Sequence, residues 1–398
     1  MKRTIFKDLK RRAVLPVVIT FLAILFLFAA FSCDSIKAGI SSEPPPIKAI
    51  SKKILFVGDT SFGESYRDTL EVLKKKGYDY PMEKLAPFLR NSDLVIANLE
   101  TPITDIEESP FKDSKAYCHW THVKKAPYYF KKYNMRTFAL ANNHTLDFGM
   151  PGLEQTFKIM KENGIKWFGA GLTEKEAARP FMKTFSFGDK KLKLAVISAF
   201  EYRERYATKY NFYAKGDQGG TYHLSTKKIG EQINNLKAKD PETFVVIFPH
   251  WGKNYRWKTD RQTMDAHQFI VDGADLVIGH GGHSMQEIEQ YKDHWILYGI
   301  GNFVFLSPGR YAQKKVMPYS YVVQLIVDDL RDKIQKRIRL YPIFSDNRVS
   351  NFQPRPLTDA EFKQFVAKLL EKSPLETRQQ KKARRGKDEI GNYIDFLI

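Results

Sequence analysis

The sequence predicts an α/β fold, and three observations support this prediction. Short apolar runs rich in β-branched residues each end in a polar cluster, amphipathic stretches lie between several of these runs, and 43% of the 398 residues are apolar. Continuous apolar runs that are too short for helices are typical of strands covered on both faces. Strands that alternate with helices indicate an α/β architecture. The six runs are 54–63, 93–101, 136–149, 244–252, 275–283 and 296–305.

The elements between and after these runs follow from their own patterns. Amphipathic stretches predict helices near 123–134, 152–163, 225–238 and 261–273. Residues 319–343 predict a β-hairpin, because apolar and polar side chains alternate along their second half. Thr358 and Glu361 have the spacing of a capping box, which predicts the start of a helix.

Composition excludes several classes of protein. The mean hydropathy of −0.42 excludes a polytopic membrane protein. Two cysteines exclude a disulfide scaffold. The 64 Lys and Arg residues outnumber the 45 Asp and Glu residues, which gives a formal net charge of +19. Nucleic acid is nevertheless not the predicted partner, because the N-terminus indicates export.

The N-terminus has the pattern of a targeting segment. Residues 1–12 carry six basic residues and one acidic residue, and residues 13–31 form an uncharged apolar stretch. Residues 30–33, Ala-Phe-Ser-Cys, resemble a bacterial lipobox, so we predict lipidation of Cys33. The alternative is an uncleaved signal anchor, since 19 apolar residues nearly span a bilayer. Both alternatives tether the body at the extracytoplasmic face of a bacterial cell membrane.

The chain divides into four predicted segments. They are a signal peptide or anchor (1–33), a Ser/Pro-rich tether (34–52), a folded domain (53–343) and a C-terminal helical extension with a basic tail (344–398). Residues 378–387 of the tail carry six basic residues and no acidic one. Such a run is either a solvated charged segment or a contact for anionic lipid or polymer.

Polar side chains with metal-binding chemistry follow the predicted strands. They are Asp59, Glu100, Asn143, His144, His250, His280 and His283. Ligands of α/β sheets lie beyond the carboxyl ends of strands. Carboxylate, amide and imidazole groups together suit Mn, Fe or Zn, and one or two such ions can activate water and clamp a phosphoryl group. Taken singly, each residue has an ordinary alternative as a core, surface or helix-capping side chain.

Other catalytic motifs are absent from the sequence. It contains no P-loop and no dinucleotide-binding fingerprint. The segment GDTSFG resembles a nucleophile elbow, but Ser61 lacks the glycine two residues before it. The sequence therefore favours metal chemistry over nucleophilic catalysis by serine.

Several motifs occur in a fixed order along the predicted domain. They are VGD, NLE, ANNHTLDFG, HWG, IGHGGHSMQ and YGIGNFVF. Together they resemble the CapA/PgsA family of poly-γ-glutamate capsule biosynthesis proteins over about residues 53–343. The resemblance implies a metallophosphatase-like four-layer α/β/β/α sandwich, with a metal site at the strand ends. It also implies a membrane-attached component of polyglutamate assembly or export.

The resemblance assigns roles to the matching residues. Asp59 and His250 correspond to metal ligands, and Glu100 stands where metallophosphatases place a bridging carboxylate. Asn143 corresponds to a ligand, and His144 to a proton donor or phosphate contact. The last histidine of the family's His-x-His corresponds to His283.

Three positions depart from the pattern that the resemblance implies. Ser61 replaces the histidine of Asp-x-His, and Asn254 replaces a glutamate after HWG. Gly281 stands at the penultimate histidine, and His280 can substitute only if the neighbouring glycines let the loop fold back. These departures reduce the ligand set and favour a single metal or a weakened site.

Polar, basic and aromatic residues near the motifs are the predicted substrate contacts. They are Asn142, Arg203, Lys253, Tyr255, Arg256 and Asn302. Cations near a cleft attract anionic substrates. In the alternative interpretation the aromatic rings are packing residues and the cations are solvated.

The predicted function is the synthesis or export of an anionic cell-surface polymer such as poly-γ-glutamate. The predicted mechanism is hydrolysis or transfer assisted by a divalent metal, as in a phosphoesterase-like hydrolase. In the alternative, the same fold is a non-catalytic, polymer-binding accessory to a membrane synthase. The predicted partners are the membrane, the polymer and synthase subunits.

Overall fold

Two β-sheets organise the chain in the computed structural model, which describes residues 50–330, 333–376, 379 and 383–398. The strands are β1 (Ser51–Ser61), β2 (Leu94–Leu99), β3 (Thr137–Ala139), β4 (Lys166–Phe168), β5 (Ala170–Gly171), β6 (Phe181–Phe187), β7 (Lys190–Ile197), β8 (Phe200–Glu201), β9 (Gly220–Thr221), β10 (His223–Leu224), β11 (Phe244–Ile247), β12 (Leu276–Ile278), β13 (Ile288–Tyr291), β14 (His294–Leu297), β15 (Asn302–Phe305), β16 (Tyr319–Leu330), β17 (Lys333–Phe344), β18 (Arg355–Pro356), β19 (Arg384–Lys387) and β20 (Asn392–Leu397). All six apolar runs are confirmed as strands. The predicted segment 1–33 with Cys33, and residues 34–49, lie outside the described residues.

Helices connect and cover the strands. They are α1 (Arg67–Lys76), α2 (Ala86–Arg90), α3 (Lys125–Lys132), α4 (Gly149–Glu162), α5 (Glu174–Ala177), α6 (Glu204–Thr208), α7 (Thr226–Lys239), α8 (Asp260–Val271), α9 (Tyr311–Lys314), α10 (Asn347–Ser350) and α11 (Asp359–Lys372). The four helices predicted between strands are confirmed as α3, α4, α7 and α8. The Thr358–Glu361 capping box is also present at the start of α11.

The larger sheet has the strand order β19-β20-β17-β16-β1-β2-β3-β4, with β15 beside β1 and β18 beside β17. Its strands β1 to β4 are parallel, whereas β16 and β17 form the predicted antiparallel hairpin. The smaller sheet has the order β13-β14-β12-β11-β7-β6. Its four central strands are parallel, so several strands in each sheet end at the same edge.

Alternating side chains of the strands divide the core into layers. Ile54 and Phe56 of β1 belong to one buried cluster with Val246 of the smaller sheet, which places that cluster between the sheets. The neighbouring Leu55 belongs instead to a cluster with residues of α1, α3 and α4. Ile247 of the smaller sheet packs with residues of α7 and α8 in a third cluster. The predicted four-layer α/β/β/α sandwich is therefore confirmed.

The C-terminal segment corrects one prediction. Residues 344–398 contain helix α11 as expected, but they also supply strands β18, β19 and β20 to the larger sheet. The description as a helical extension was therefore incomplete. Ile394 and Phe396 are each 1% exposed and alternate with polar Asp395, which is the period of a strand. Within the described ranges, none of the helices has the length and apolar character needed to cross a membrane.

Candidate metal centre

Asp59 lies where β1 bends at the edge of the larger sheet. The register of β1 against both β2 and β15 shifts at Asp59, and its amide donates to the carbonyl of Gly301 at 3.1 Å. Gly58 is required for this approach, because a Cβ atom there would lie 1.8 Å from the Gly301 oxygen. The irregularity turns the fully buried carboxylate of Asp59 towards the ends of the neighbouring strands.

Two groups of ligand-type side chains meet at Asp59. The first is Asp59, His250 and His280, and the second is Asp59, Glu100 and His283; the ligand atoms of each group lie within 4.8 Å of one another. In the first group, His280 Nδ1 is 3.5 Å from Asp59 Oδ1 and 3.2 Å from His250 Nδ1. In the second, His283 Nδ1 is 3.2 Å from Asp59 Oδ2 and 4.0 Å from Glu100 Oε2. The structure therefore brings five of the six predicted ligands together.

The donor atoms of this cluster fit a cation. Asp59 Oδ2, both carboxylate oxygens of Glu100 and His280 Nε2 are buried and have no hydrogen-bond partner among the described residues. Leaving buried polar atoms without partners is costly, and two neighbouring carboxylates add electrostatic repulsion. A divalent ion bound by the Asp59 and Glu100 oxygens removes both costs for the carboxylates. The mixture of oxygen and imidazole nitrogen suits Mn, Fe or Zn.

The pKa values of the two carboxyl groups in the cluster, Asp59 and Glu100, are shifted in opposite directions. Burial raises the pKa of Glu100 well above its usual range, and the neighbouring charge of Asp59 raises it further. Burial also disfavours ionised Asp59, but His280, His283 and His250 outweigh burial and hold its pKa below the usual range. Without a cation, Glu100 is therefore the harder of the two carboxyl groups to ionise. Metal binding favours its ionised form, since a carboxylate binds metal when deprotonated.

Two buried asparagines hold the cluster from behind. Asn98 donates from Nδ2 to Asp59 Oδ1 at 2.9 Å, and Asn142 donates to Asn98 Oδ1 at 3.0 Å. The other end of the Asn142 amide accepts from the His144 backbone N–H at 3.0 Å. Asn142 is fully buried and its amide takes part in this network rather than facing a cavity. The neighbouring Asn143 is half-buried, and its side chain makes no hydrogen bond to any described residue.

A buried ionic group holds His144. Its Nδ1 lies 2.6 Å from Asp147 Oδ2, while its Nε2 lies 3.9 Å from Glu100 Oε1. Lys115 reaches the same group, with Nζ 2.7 Å from Asp147 Oδ1 and 3.2 Å from His144 Nδ1. Asp147 therefore fixes the ring so that Nε2 faces the cluster. Neither Asp147 nor Lys115 was among the predicted site residues.

The charges around His144 favour its neutral form. Burial lowers the pKa of His144 well below its usual range, and the Lys115 ammonium lowers it further. Burial by itself would lower the pKa of Lys115, but the Asp147 carboxylate outweighs it, so the pKa of Lys115 is raised. Lys115 consequently stays charged. A neutral His144 that donates Nδ1–H to Asp147 presents an unprotonated Nε2 to the cluster.

A polar cavity of about 330 Å³ opens beside the cluster. Its lining includes His144, His283 and the half-buried ring of Tyr66, and two exposed arginines, Arg310 and Arg348, lie at its rim. Neither arginine forms an ion pair with a described residue. A cavity of this kind can hold an anionic group next to the imidazoles.

The sequence of residues 53–307 matches the family described as bacterial capsule synthesis protein PGA_cap. The chain belongs to this family. It is 30% identical over 321 residues to the capsule biosynthesis protein CapA of Bacillus anthracis, a match that covers 79% of this chain and 72% of the relative. It is also 29% identical over 233 residues to a probable polyglutamine synthesis accessory protein of Mycobacterium tuberculosis, covering 56% of this chain and 59% of the relative.

Among solved structures, a phosphatase of Mycoplasma pneumoniae covers 76% of this chain, and 97% of that chain is matched. The TM-score is 0.38 and the sequence identity is 13%. A likeness at this level supports no statement about activity. The fold assignment of the PGA_cap chain therefore rests on its own sheets and core clusters.

The predicted substrate contacts are spread over several environments. Tyr255 lines the cavity, and the amide oxygen Oδ1 of Asn302 accepts from His283 Nδ1 at 2.9 Å. Arg203 donates to the carbonyl of Gly252 at 2.9 Å. Lys253 and Arg256 are exposed and lie outside the described lining of the cavity. Arg310 and Arg348 were missed, since no sequence pattern distinguished them from other surface cations.

The three positions that depart from the family pattern lie in different environments. Ser61 is buried, and its Oγ accepts from the Gly63 N–H at 3.2 Å. Asn254 is exposed and lines the cavity. Gly281 has a φ of +98°, and a Cβ atom there would lie 2.8 Å from His250 Nε2. His280 reaches the cluster because its backbone continues β12 beside His250, with which it forms a parallel β-bridge.

Proposed function

We propose that this PGA_cap protein acts in the synthesis of an anionic cell-surface polymer of the poly-γ-glutamate type by metal-assisted hydrolysis or transfer. The observation that supports this most strongly is the pair of ligand groups that share Asp59 and contain buried donor atoms without partners. The name of the Bacillus anthracis relative, a capsule biosynthesis protein, supports the biological role. The proposed location is the extracytoplasmic face of the membrane, where Cys33 or the apolar segment would tether the chain.

Asp59, Glu100, His250, His280 and His283 are the proposed metal ligands. When bound, one or two divalent ions would polarise the scissile group and supply an activated water. Asn98 and the neighbouring strands fix the carboxylates, so that the ligand atoms are held before the ion binds. Asn143 remains a proposed ligand on the basis of the family resemblance.

His144 is the proposed proton-transfer residue. Its Nε2 faces Glu100 at 3.9 Å and lies at the wall of the cavity, so it reaches both the cluster and an incoming substrate. Asp147, bound to Nδ1, would stabilise the imidazolium that forms when Nε2 takes a proton. His144 would then return that proton to the leaving group.

Arg310 and Arg348 are the proposed contacts for the anionic part of the substrate. Both are exposed at the rim of a cavity whose wall contains His144, so an anionic group held there lies beside the reacting groups. The Arg310 guanidinium lies 5.5 Å from the ring centre of Tyr255, which orients it over the cavity. This arrangement favours a carboxylate- or phosphate-bearing substrate.

A non-catalytic accessory role is the second candidate. Ser61 and Gly281 replace histidines that the metallophosphatase resemblance implies, and the Mycobacterium tuberculosis relative is named an accessory protein. In this role the PGA_cap fold would bind polymer beside a membrane synthase without turning it over.

The catalytic role and the accessory role can be distinguished by measuring turnover by the wild type and by two matched variants. Purified protein loaded with Mn, Fe or Zn is assayed on poly-γ-glutamate and on a generic phosphodiester. We expect wild-type turnover to fall by about 100-fold or more in His144→Ala, whereas His267→Ala, which alters a histidine outside the cluster, retains it. Absence of wild-type turnover with every metal, despite polymer binding, would leave only the accessory role.

A further inference from the structure

A second groove lies at the open edges of the two sheets. It has a volume of about 920 Å³ and lies between the ends of β4 and β6, the last strands of their sheets. Residues of α4 and of the loop before β6 complete its walls. It shares no lining residue with the cavity beside His144. The groove is therefore a separate candidate site.

Four cations line this groove without carboxylate partners. They are Lys158, Lys161, Lys166 and Arg179. All are exposed, and none forms an ion pair with a described residue. The groove's one acidic residue among the described lining, Glu176, accepts from the Leu172 N–H.

Apolar side chains form the surface between these cations. Leu172 is 43% exposed and Met182 is 47% exposed, and both line the groove. The half-buried ring of Trp167 stacks on Phe157 with centroids 4.8 Å apart. Exposed apolar side chains beside unpaired cations indicate a binding surface for a ligand that is anionic and partly apolar.

The placement of the cations around the groove indicates which kind of ligand fits. Lys158 and Lys161 are three residues apart on one helix, so they project from the same side of α4. Arg179 lies on the opposite wall, next to β6. A concave groove with cations on both walls admits an extended chain with repeated carboxylates.

We infer that this groove binds an extended polycarboxylate chain of the poly-γ-glutamate type. The cations hold successive carboxylates, and the methylene and amide groups of the chain lie on Trp167, Leu172 and Met182. This inference rests on the proposed function, because it assigns a binding track to the polymer on which the metal centre would act. The two sites would then hold different parts of the same chain.

Binding of fluorescein-labelled poly-γ-glutamate by the full chain tests the inference. Anisotropy is measured at low ionic strength for wild type and for K158Q/K161Q/K166Q/R179Q. The matched control is K74Q/K75Q/K84Q/R90Q, which removes four exposed cations outside the groove and changes the net charge equally. We expect at least a tenfold rise in Kd for the groove variant and less than a twofold rise for the control.

Three results would overturn the inference. Equal weakening in both variants would show that binding follows total charge. Lack of polymer binding by the wild type would show that poly-γ-glutamate is not a ligand of this protein. Loss of binding to phosphatidylglycerol vesicles in the groove variant, with polymer binding unchanged, would assign the groove to lipid instead.

A further variant separates this inference from the proposed function. Asp59→Ala is expected to lose metal, as measured by mass spectrometry, while its polymer binding remains sensitive to the groove substitutions. If Asp59→Ala loses metal but the groove substitutions do not affect polymer binding, the inference about the groove is contradicted and the proposed metal chemistry is not. Groove-dependent binding by a wild type that holds no metal would contradict the proposed chemistry alone.

Discussion

The metal centre and the groove between β4 and β6 both contain clustered ionisable side chains, but these side chains differ in burial. Asp59 and Glu100 are fully buried, whereas Lys158 and Lys161 are exposed. A buried unpaired carboxylate carries a large desolvation cost, so it needs an ion at a defined position. Exposed cations carry little cost and are screened by salt. The comparison indicates one site for a specific ion and one for a mobile polyanion.

Alanine substitutions at Gly281 and Gly282, which follow His280, test whether metal binding depends on the backbone turn at Gly281. Gly281→Ala places a Cβ atom 2.8 Å from His250 Nε2 at a φ of +98°, so we expect His250 to be displaced and bound metal to fall to half or less. Gly282→Ala is the matched control, since its nearest contact would be an ordinary 3.4 Å. Metal content of both proteins is measured by mass spectrometry. Full metal content in Gly281→Ala would show that the observed turn is not required.

The substitution Lys115→Met tests how much the free energy of unfolding depends on the buried ion pair between Lys115 and Asp147. Lys115→Met leaves Asp147 buried beside His144 without its cation, and we expect the free energy of unfolding to fall by about 3 kcal/mol. The four-cation groove variant is the comparison, and its unfolding midpoint should match that of the wild type. Both are measured by urea unfolding. An unchanged midpoint for Lys115→Met would mean that Asp147 is already neutral.

The expected effect of Glu64 on stability depends on pH. Burial raises the pKa of Glu64 to about 7, although Thr121 and the His122 N–H donate to its carboxylate. Because the folded pKa lies above the unfolded value, the stabilisation is complete below about pH 4.5 and is lost as pH rises through about 7.

The expected consequence is a difference between wild type and Glu64→Gln. The wild-type free energy of unfolding should fall relative to the variant by about 3 kcal/mol between pH 4.5 and pH 8. Chemical unfolding over this range measures the difference. Parallel pH profiles for the two proteins would refute a raised pKa at Glu64.

Local patterns in the sequence predicted the alternating strands and helices and most of the cluster, whereas the four-layer arrangement was implied by the family resemblance. Each apolar run marks a buried strand, and parallel strands end at a shared edge, so Asp59, His250 and His283 were expected to converge. Strand β20 was missed because its alternation follows a basic run that suggested a solvated tail. The prediction of lipidation at Cys33 remains a prediction.

The supporting residues could not be predicted in the same way. Lys115 lies in a long connection between β2 and α3, and only folding brings it to Asp147. Asn98 is part of an apolar strand, where nothing in the local pattern identifies a partner for Asp59. Arg310 and Arg348 meet at a cavity formed by distant segments. Such contacts follow from tertiary packing rather than from periodicity.

The most direct test of the central claim is the metal content of the purified wild type and of Asp59→Ala, measured by mass spectrometry after reconstitution with Mn, Fe and Zn in turn. Asp59 belongs to both ligand groups, so the account predicts one or two equivalents in the wild type and less than about a tenth of that in the variant. Absence of metal from the wild type with every ion, or equal metal in both proteins, would contradict it.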